Sequence, residues 1–390
     1  MPVINRVADF EDEIIGWRRD FHTHPELQYD VQRTAGRVAE LLRSFGVDEV
    51  VTGIGRTGVV GVIKGRKGGA GRTIGLRADM DALPISERSG KPYASRTAGR
   101  MHACGHDGHT AMLLGAAKYL AETRNFSGSV AVIFQPAEEG GAGGRAMVED
   151  GLMDRFGIAE VFGMHNLPGL PVGRFAIRPG GIMAATDEFI ITLEGVGGHA
   201  AIPQQTIDPV VIAAQLILAL QTVVSRNLDP MRSAVLSITM LEAGNAFNVI
   251  PRNVKLTGTV RTLAETERQF MEQRLRAITS GIAATFGATA DIAYRRGYPP
   301  TVNAPEQTSF AAAVARSVAG DGQVNDQADG TMGGEDFAYM LEARPGAYIF
   351  IGNGASSGLH TDTYDFNDAA IPAGVSYWAR LVEMALPVTG

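Results

Sequence analysis

The chain has 390 residues and one cysteine, Cys104, so no disulfide can form within it. A free thiol persists best in a reducing compartment, which makes the cytoplasm the expected location. An excess of positive charge is missing too. With 35 basic and 42 acidic residues the net charge is -7, and no long basic run marks a surface for nucleic acid or an anionic membrane. The opening MPVINRVADFEDEII brings in acidic residues at once and lacks the apolar stretch of a secretory signal. The most apolar stretch, PVVIAAQLILALQTVV, is interrupted by Gln215 and Gln221, so it is expected to be a buried helix face that falls short of a membrane span. What is present is the composition of a folded globular protein, 45% hydrophobic and 20% charged. The length suits two or three domains at roughly 150 residues each.

Against this ordinary background one segment is unusual. Cys104 sits in MHACGHDGH, where His102, His106 and His109 take up three of the chain's 8 histidines. A lone cysteine is more often a small buried apolar residue than a ligand. The crowd of imidazoles around it weighs against that reading, because a core does not need them. A carboxylate pair, Glu138 and Glu139 in FQPAEEGG, follows after a helix and a strand, and His165 in FGMHN after a second such unit. Thiolate, imidazole and carboxylate together make a metal site the leading hypothesis.

The rhythm of the chain changes near residue 185 and again near 296. Before the first change, short β-rich runs (GVVGVIKG, RTIGLRADMD, SVAVIFQP, EVFGMH) alternate with helical patterns, which predicts βαβ units and a mainly parallel sheet. Ligands gather beyond the carboxyl ends of such strands. Asp79, Asp81, Glu138, Glu139 and His165 all follow or end one. Between the changes the order reads βαββαβ, that of a ferredoxin-like split unit. After Pro300 the first rhythm returns, with a strand at AYIFIGN, His360 just beyond it and a closing helix from Pro372. The expected fold class is therefore α/β, a mainly parallel-sheet domain over 1–184 and 297–390 with a smaller ferredoxin-like domain inserted at 185–296.

The strings LRADMDALPI, MHACGHDGHTAMLLGAA, FQPAEEGGAGGRAM, GMHN, GGHAAIP, NVIP, GGEDF and LHTDTYDF occur in order along nearly the whole chain. In them the sequence resembles the aminoacylase, hippurate hydrolase and auxin-conjugate hydrolase branch of the dinuclear metallopeptidase amidohydrolases. The resemblance implies two divalent metals, with Cys104 bridging, His106 and His165 on one ion and Glu139 and His360 on the other. That donor set suits zinc and tolerates manganese, cobalt or nickel. Better-known relatives carry His-x-Asp where this chain has Asp79-Met80-Asp81, so the imidazole must come from elsewhere, and His106 is the natural donor. Asp79 and Asp81 then fit the role of holding a ligand imidazole through its other nitrogen. Their competing reading is a strand-end turn or helix cap. His102 and His109 are expected as support, and neither His22 nor His24 is assigned a role, although His24 is placed where it could line the pocket.

Amide hydrolysis needs a base that takes a proton from water and hands it to the leaving amine, and Glu138 is assigned that role beside the ligand Glu139. The competing reading of the pair is a solvated helix start. The resemblance further implies that His199 in the inserted domain enters the active site of a partner subunit and helps hold the oxyanion. It also implies that Asn248 and Arg261 grip the substrate carboxylate, although a strand-end surface charge is the plainer account of Arg261. The expected protein is a homodimeric, metal-dependent hydrolase of small N-acyl amino acids. The alternatives are a dipeptidase or carboxypeptidase acting on a free α-amino substrate, and a non-catalytic binder of metal or amino acid.

Overall fold

A computed structural model describes residues 4–66 and 71–388. The chain forms two compact units. One takes the chain up to Gly180, Asn303–Asp329 and the chain from Asp336; the other takes Gly181–Val302 and Gly330–Glu335. The return of 330–335 to the second unit is a feature that the rhythm of the sequence did not announce.

The first unit is built on an eight-stranded sheet in the order Glu49–Ile54, Gly58–Lys64, Ser129–Gln135, Thr73–Asp79, Ile158–Pro168, Gly346–Gly354, Phe175–Ala176, Val324–Asn325. The four strands from Ser129–Gln135 to Gly346–Gly354 run parallel. The hairpin of Glu49–Ile54 and Gly58–Lys64 joins them antiparallel. Ser129–Gln135 and Gly346–Gly354 are buried at every position, as expected of strands covered on both faces. Helices Glu11–Thr23, His106–Thr123 and Ile371–Ala385 pack on one another, and Phe21, Leu113 and Trp378 belong to the apolar core. Because the central strands share a direction, the turns after Asp79 and Gln135 and the end of Ile158–Pro168 gather at one edge of the sheet.

The second unit has the βαββαβ order. Its four-stranded antiparallel sheet runs Ala234–Ala243, Asn253–Thr262, Ala185–Glu194, Thr289–Arg296. Burial alternates along Ala185–Glu194 and Asn253–Thr262, so one face is packed and the other is open. Helices Pro209–Thr222 and Glu265–Thr285 pack on the strands, with Phe189, Leu216, Leu256 and Leu275 in the core between them. The apolar stretch forms the helix Pro209–Thr222, which runs on through a π-helical turn at Val223–Asn227. Together they make 19 residues of mean hydropathy 1.6, long and apolar enough to cross a membrane by length and composition alone. In the structure Ile212, Leu216 and Leu220 face the sheet while Val211 and Leu218 are exposed.

Candidate metal centre

The site is assembled from four turns at the carboxyl edge of the larger sheet. The first is the segment entering helix His106–Thr123. Gly105 precedes the helix with φ +94°, and a Cβ there would lie 2.2 Å from the Asn166 side chain, so this close approach requires glycine. Cys104 and His106 are thereby held on either side of a sharp turn, both buried.

The imidazoles of His106 and His165 have fixed tautomers. His106 Nδ1 donates to the Asp81 backbone carbonyl at 2.8 Å, and His165 Nδ1 donates to the Asn166 carbonyl at 2.7 Å. A carbonyl only accepts, so both protons sit on Nδ1 and both Nε2 lone pairs are left to ligate. His165 Nε2 lies 3.4 Å from Cys104 Sγ. His106 Nε2 lies 3.7 Å from Asp79 and 4.0 Å from Glu139 Oε1, and it is buried without a hydrogen-bond partner among the described residues. Glu139 Oε1 is in the same condition, although His360 Nε2 is 3.3 Å away. His360 is half exposed, sits at φ +61°, and is tethered by its N–H to the Ala103 carbonyl at 2.7 Å.

The ligand atoms of Cys104, His106 and His165 lie within 4.8 Å of one another, and so do those of Cys104, Glu139 and His360. The two triads share the thiol. A third group at the same spacing joins His106 to Glu138 and Glu139, which puts the buried Glu138 carboxylate beside both triads. Two buried, unsatisfied donor atoms aimed into a cluster of sulfur, nitrogen and oxygen fit a divalent cation of borderline softness.

The charges agree with this reading. Burial opposes a proton on His106, yet Asp79 and Cys104 outweigh it and hold the ring well above the ordinary histidine range. The neighbouring Cys104 and Glu139 push His360 up to about 10. Burial pushes the Cys104 thiol up and His165 well down. The same anions that would hold a cation thus draw protons onto the ligands, and a metal must displace those protons to bind.

The two aspartates act differently from the expectation. Neither carboxylate hydrogen-bonds the ligand imidazole. The Asp81 main-chain carbonyl orients His106, with the Asp81 carboxylate 3.6 Å away. That carboxylate instead accepts the backbone N–H groups of Glu138 at 2.9 Å and Glu139 at 3.1 Å, and so fixes the turn that carries both glutamates. Asp79 accepts from His109 Nδ1 at 2.7 Å, and His109 Nε2 accepts the Asn166 N–H at 2.9 Å. Both nitrogens of His109 are engaged, so it braces the His165 strand. Burial would raise the Asp79 pKa, but His106, Arg77 and His109 hold it well below the carboxylate range.

Arg77, which the sequence reading passed over, is fully buried at the centre of this brace. It pairs with Asp79 at 2.7 Å and Asp336 at 3.1 Å, while Gln135 accepts from it at 2.8 Å. A signal was available, since Arg77 and Asp79 stand two apart on one strand and share a face.

The remaining histidines of the first unit lie outside the two donor triads. His24 Nδ1 donates to the Asp20 carbonyl of its own helix, and the residue does not line the cavity beside Glu139. His102 is buried, neither ring nitrogen has a hydrogen-bond partner among the described residues, and burial pushes it down to about 3. His22 lies in a buried network with Arg18, Asp107 and Glu87. Burial opposes its charge, but Asp107 and Glu87 outweigh that and hold it at about 9.

His199, Asn248 and Arg261 belong to the second unit. His199 pairs with Val249 in a two-stranded ribbon, Ala200 N–H donates to the Asn248 carbonyl at 3.1 Å, and His199 and Asn248 are exposed. His199 Nδ1 accepts the Ala201 N–H at 3.1 Å, which leaves its proton on Nε2. Arg261, half-buried on strand Asn253–Thr262, bonds to Thr259 and the Val260 carbonyl.

Fold and donor set together define a metallohydrolase, and comparison with known proteins gives the family. The model of peptidase family M20/M25/M40 matches residues 75–384. Hippurate hydrolase of Campylobacter jejuni is 42% identical over 381 residues, which cover 98% of each chain. Thermostable carboxypeptidase 1 of Saccharolobus solfataricus is 42% identical over 353 residues, 89% of this chain and 88% of that one. Among solved structures, the dinuclear metal binding peptidase YXEP of Bacillus subtilis superposes with a TM-score of 0.86 at 35% identity, over 98% of this chain and all of that one. The chain belongs to peptidase family M20/M25/M40 and is a metal-dependent amidohydrolase.

Proposed function

We propose that the protein hydrolyses the amide bond of N-acyl amino acids, releasing a carboxylic acid and a free amino acid. The observation that carries this reading is the pair of donor triads sharing Cys104, with Glu138 beside both. Two divalent ions, zinc or manganese first, would be held by Cys104 between them, by His106 and His165, and by Glu139 and His360. When bound, such a pair supplies Lewis acidity and lowers the pKa of water to about 7. Glu138 takes the proton from the attacking water as the C–O bond forms and delivers it to the nitrogen as the C–N bond breaks. Asp81 holds Glu138 and Glu139 on one turn, so the proton carrier stays in register with the ligand beside it.

The second unit supplies the remaining roles in this reading. His199 would donate from Nε2 to the developing oxyanion, and Asn248 and Arg261 would grip the substrate carboxylate. A homodimer would bring them in from a partner copy. Its support is the edge strand Ala234–Ala243, which exposes Met240 and Leu241, together with the exposed Val211 and Leu218 of helix Pro209–Thr222. A reducing compartment such as the cytoplasm keeps Cys104 available as a thiolate.

The second reading, a carboxypeptidase or dipeptidase, is favoured by the carboxypeptidase relative. N-acetyl, N-benzoyl and N-indoleacetyl amino acids assayed beside free dipeptides, with zinc and with manganese, separate the two. Turnover of the N-acyl series at least tenfold above that of the dipeptides is expected. The reverse order overturns the proposal, and no turnover of either favours a non-catalytic binder.

A further inference from the structure

Helices Glu11–Thr23 and Gln32–Ser44 are joined by a segment that the proposed chemistry does not use. It is tied to the site at both ends. On one side Ala82 N–H donates to the Glu26 carbonyl at 2.8 Å, and Leu27 forms a β-bridge with Ala82, directly after Asp81. On the other side Ala137 N–H donates to the Gln28 carbonyl at 3.1 Å, the Gln28 amide donates to the Glu139 carbonyl at 3.2 Å, and Tyr29 OH donates to the Gly141 carbonyl at 2.7 Å. Gln28 holds φ +47° to do so, a conformation that non-glycine residues adopt at a cost when neighbours fix it. The segment is therefore locked to the same two turns that carry Asp81, Glu138 and Glu139.

Between this segment and the metal ligand Glu139 lies a cavity of about 430 Å³. That is within the range of small-molecule pockets, roughly 300–1,000 Å³. Leu27, Tyr29, Ala82 and Pro84 give it apolar walls, and among the described residues Asp30 and Glu139 are its charged lining. Arg56 lies close by with its guanidinium 4.2 Å over the Tyr29 ring, but it is not part of the lining. An amide-linked N-acyl amino acid has two unlike ends, an anionic α-carboxylate and an acyl group. The Asp30 carboxylate, outside both donor triads and with no cation among the described lining residues, repels the first end. The apolar walls accept the second.

We propose that this cavity receives the acyl group of the substrate, and that Leu27 and Asp30 determine which acyl groups are accepted. The assignment rests on the N-acyl amino acid reading above. Neutral acyl groups with an apolar body, and acyl chains ending in a cation, fit; acyl groups ending in a carboxylate are excluded by Asp30.

The test holds the amino acid constant as alanine and varies the acyl group among acetyl, pentanoyl, benzoyl and succinyl. It then holds the acyl group constant and varies the amino acid. Wild type, Leu27→Ala, Asp30→Asn and Asp30→Lys are measured in the metal-reconstituted enzyme. Asp30→Lys is expected to raise kcat/KM for succinyl relative to pentanoyl by about tenfold, with Asp30→Asn between it and wild type. Leu27→Ala should shift preference from pentanoyl toward benzoyl by about tenfold as the wall recedes. Ratios among amino acids should stay put. If the amino-acid ratios move and the acyl ratios do not, the cavity holds the other end of the substrate and the proposal is overturned. Acyl ratios unmoved in all three variants overturn the cavity assignment alone. A wild type that cleaves none of the N-acyl series overturns the acyl assignment together with the reading beneath it.

Discussion

The donor cluster of the first unit and the His199–Asn248 ribbon of the second are built on opposite principles. In the cluster the buried imidazoles of His106, His109 and His165 have their tautomer set or their nitrogens engaged, both aspartates are buried in charge-assisted bonds, and Arg77 braces Asp79. The ribbon is two residues per strand, exposes His199 and Val249, and holds the His199 ring by one bond to its own turn. The strands repeat the contrast, with Ser129–Gln135 and Gly346–Gly354 of the larger sheet buried at every position and Ala185–Glu194 of the smaller one alternating. A preorganised cluster holds its chemistry ready within one chain. An exposed histidine on a short ribbon gains a role only when something else meets it.

The sharpest way to test the first half of this comparison is to remove the proton carrier and leave the ligands in place. Glu138→Gln should retain near wild-type metal content, measured by elemental analysis, while kcat falls about 10²-fold or more. Near-normal turnover would sink the assignment of Glu138.

A second test uses pH, because the two units answer their buried charges with different partners. His22 is held at about 9 by Asp107 and Glu87 against the opposing effect of burial. A histidine raised in the fold contributes stability fully present below its ordinary value of 6.5 and lost as pH rises through about 9. The gap corresponds to on the order of 3 kcal/mol as an upper bound. In the second unit the buried Asp187 is instead gripped by Arg268 through bonds of 2.6–3.1 Å, and an arginine does not titrate in this window. Hydrogen exchange between pH 6.5 and 9.5 should therefore show the first unit loosening and the second unchanged. His22→Gln should flatten the difference. Equal loosening of both units would count against His22 as its source.

The third test compares two arginines. Arg77→Met leaves Asp79 without its counter-charge and should weaken metal binding by about 10–100-fold in competition with a chelator, the scale for partners that orient ligands. Arg261→Met, in the second unit, should leave metal affinity unchanged. If both variants bind metal alike, the Arg77 brace is packing and nothing more.

The donor cluster was legible because its chemistry is scarce in this sequence: one thiol, clustered imidazoles and a glutamate pair stand out against any background. The split βαββαβ order was legible from the alternation of Ala185–Glu194 and Asn253–Thr262. The tasks of Asp79 and Asp81 were not, since a main-chain carbonyl leaves no mark on the sequence and the carboxylates find partners 30 to 58 positions away. Asp336 reaches Arg77 across 259 positions, a pairing set by the parallel topology and invisible to local pattern. The segment Leu27–Asp30 carries no motif that the sequence reading picked out, for the same reason. Its meaning lies in the turns it is tied to.

The second half of the comparison, an exposed histidine awaiting a partner, leads to a complementation test. If His199 acts in the site of a partner copy, a His199→Ala chain and a Glu138→Gln chain are each inactive as homodimers for different reasons. A mixed dimer then holds one site that lacks both residues and one in which both are intact. Random exchange of equal amounts makes half the dimers mixed, and one of the two sites in each is competent, so the ceiling is roughly a quarter of wild-type activity if the sites act independently. Activity rising from near zero toward that ceiling as the two variants exchange would join the exposed ribbon to the buried cluster across a subunit boundary. Exchange demonstrated by mass or fluorescence without any rise would put His199 in its own chain's site or outside the chemistry, and the contrast between the two regions would then be one of packing alone.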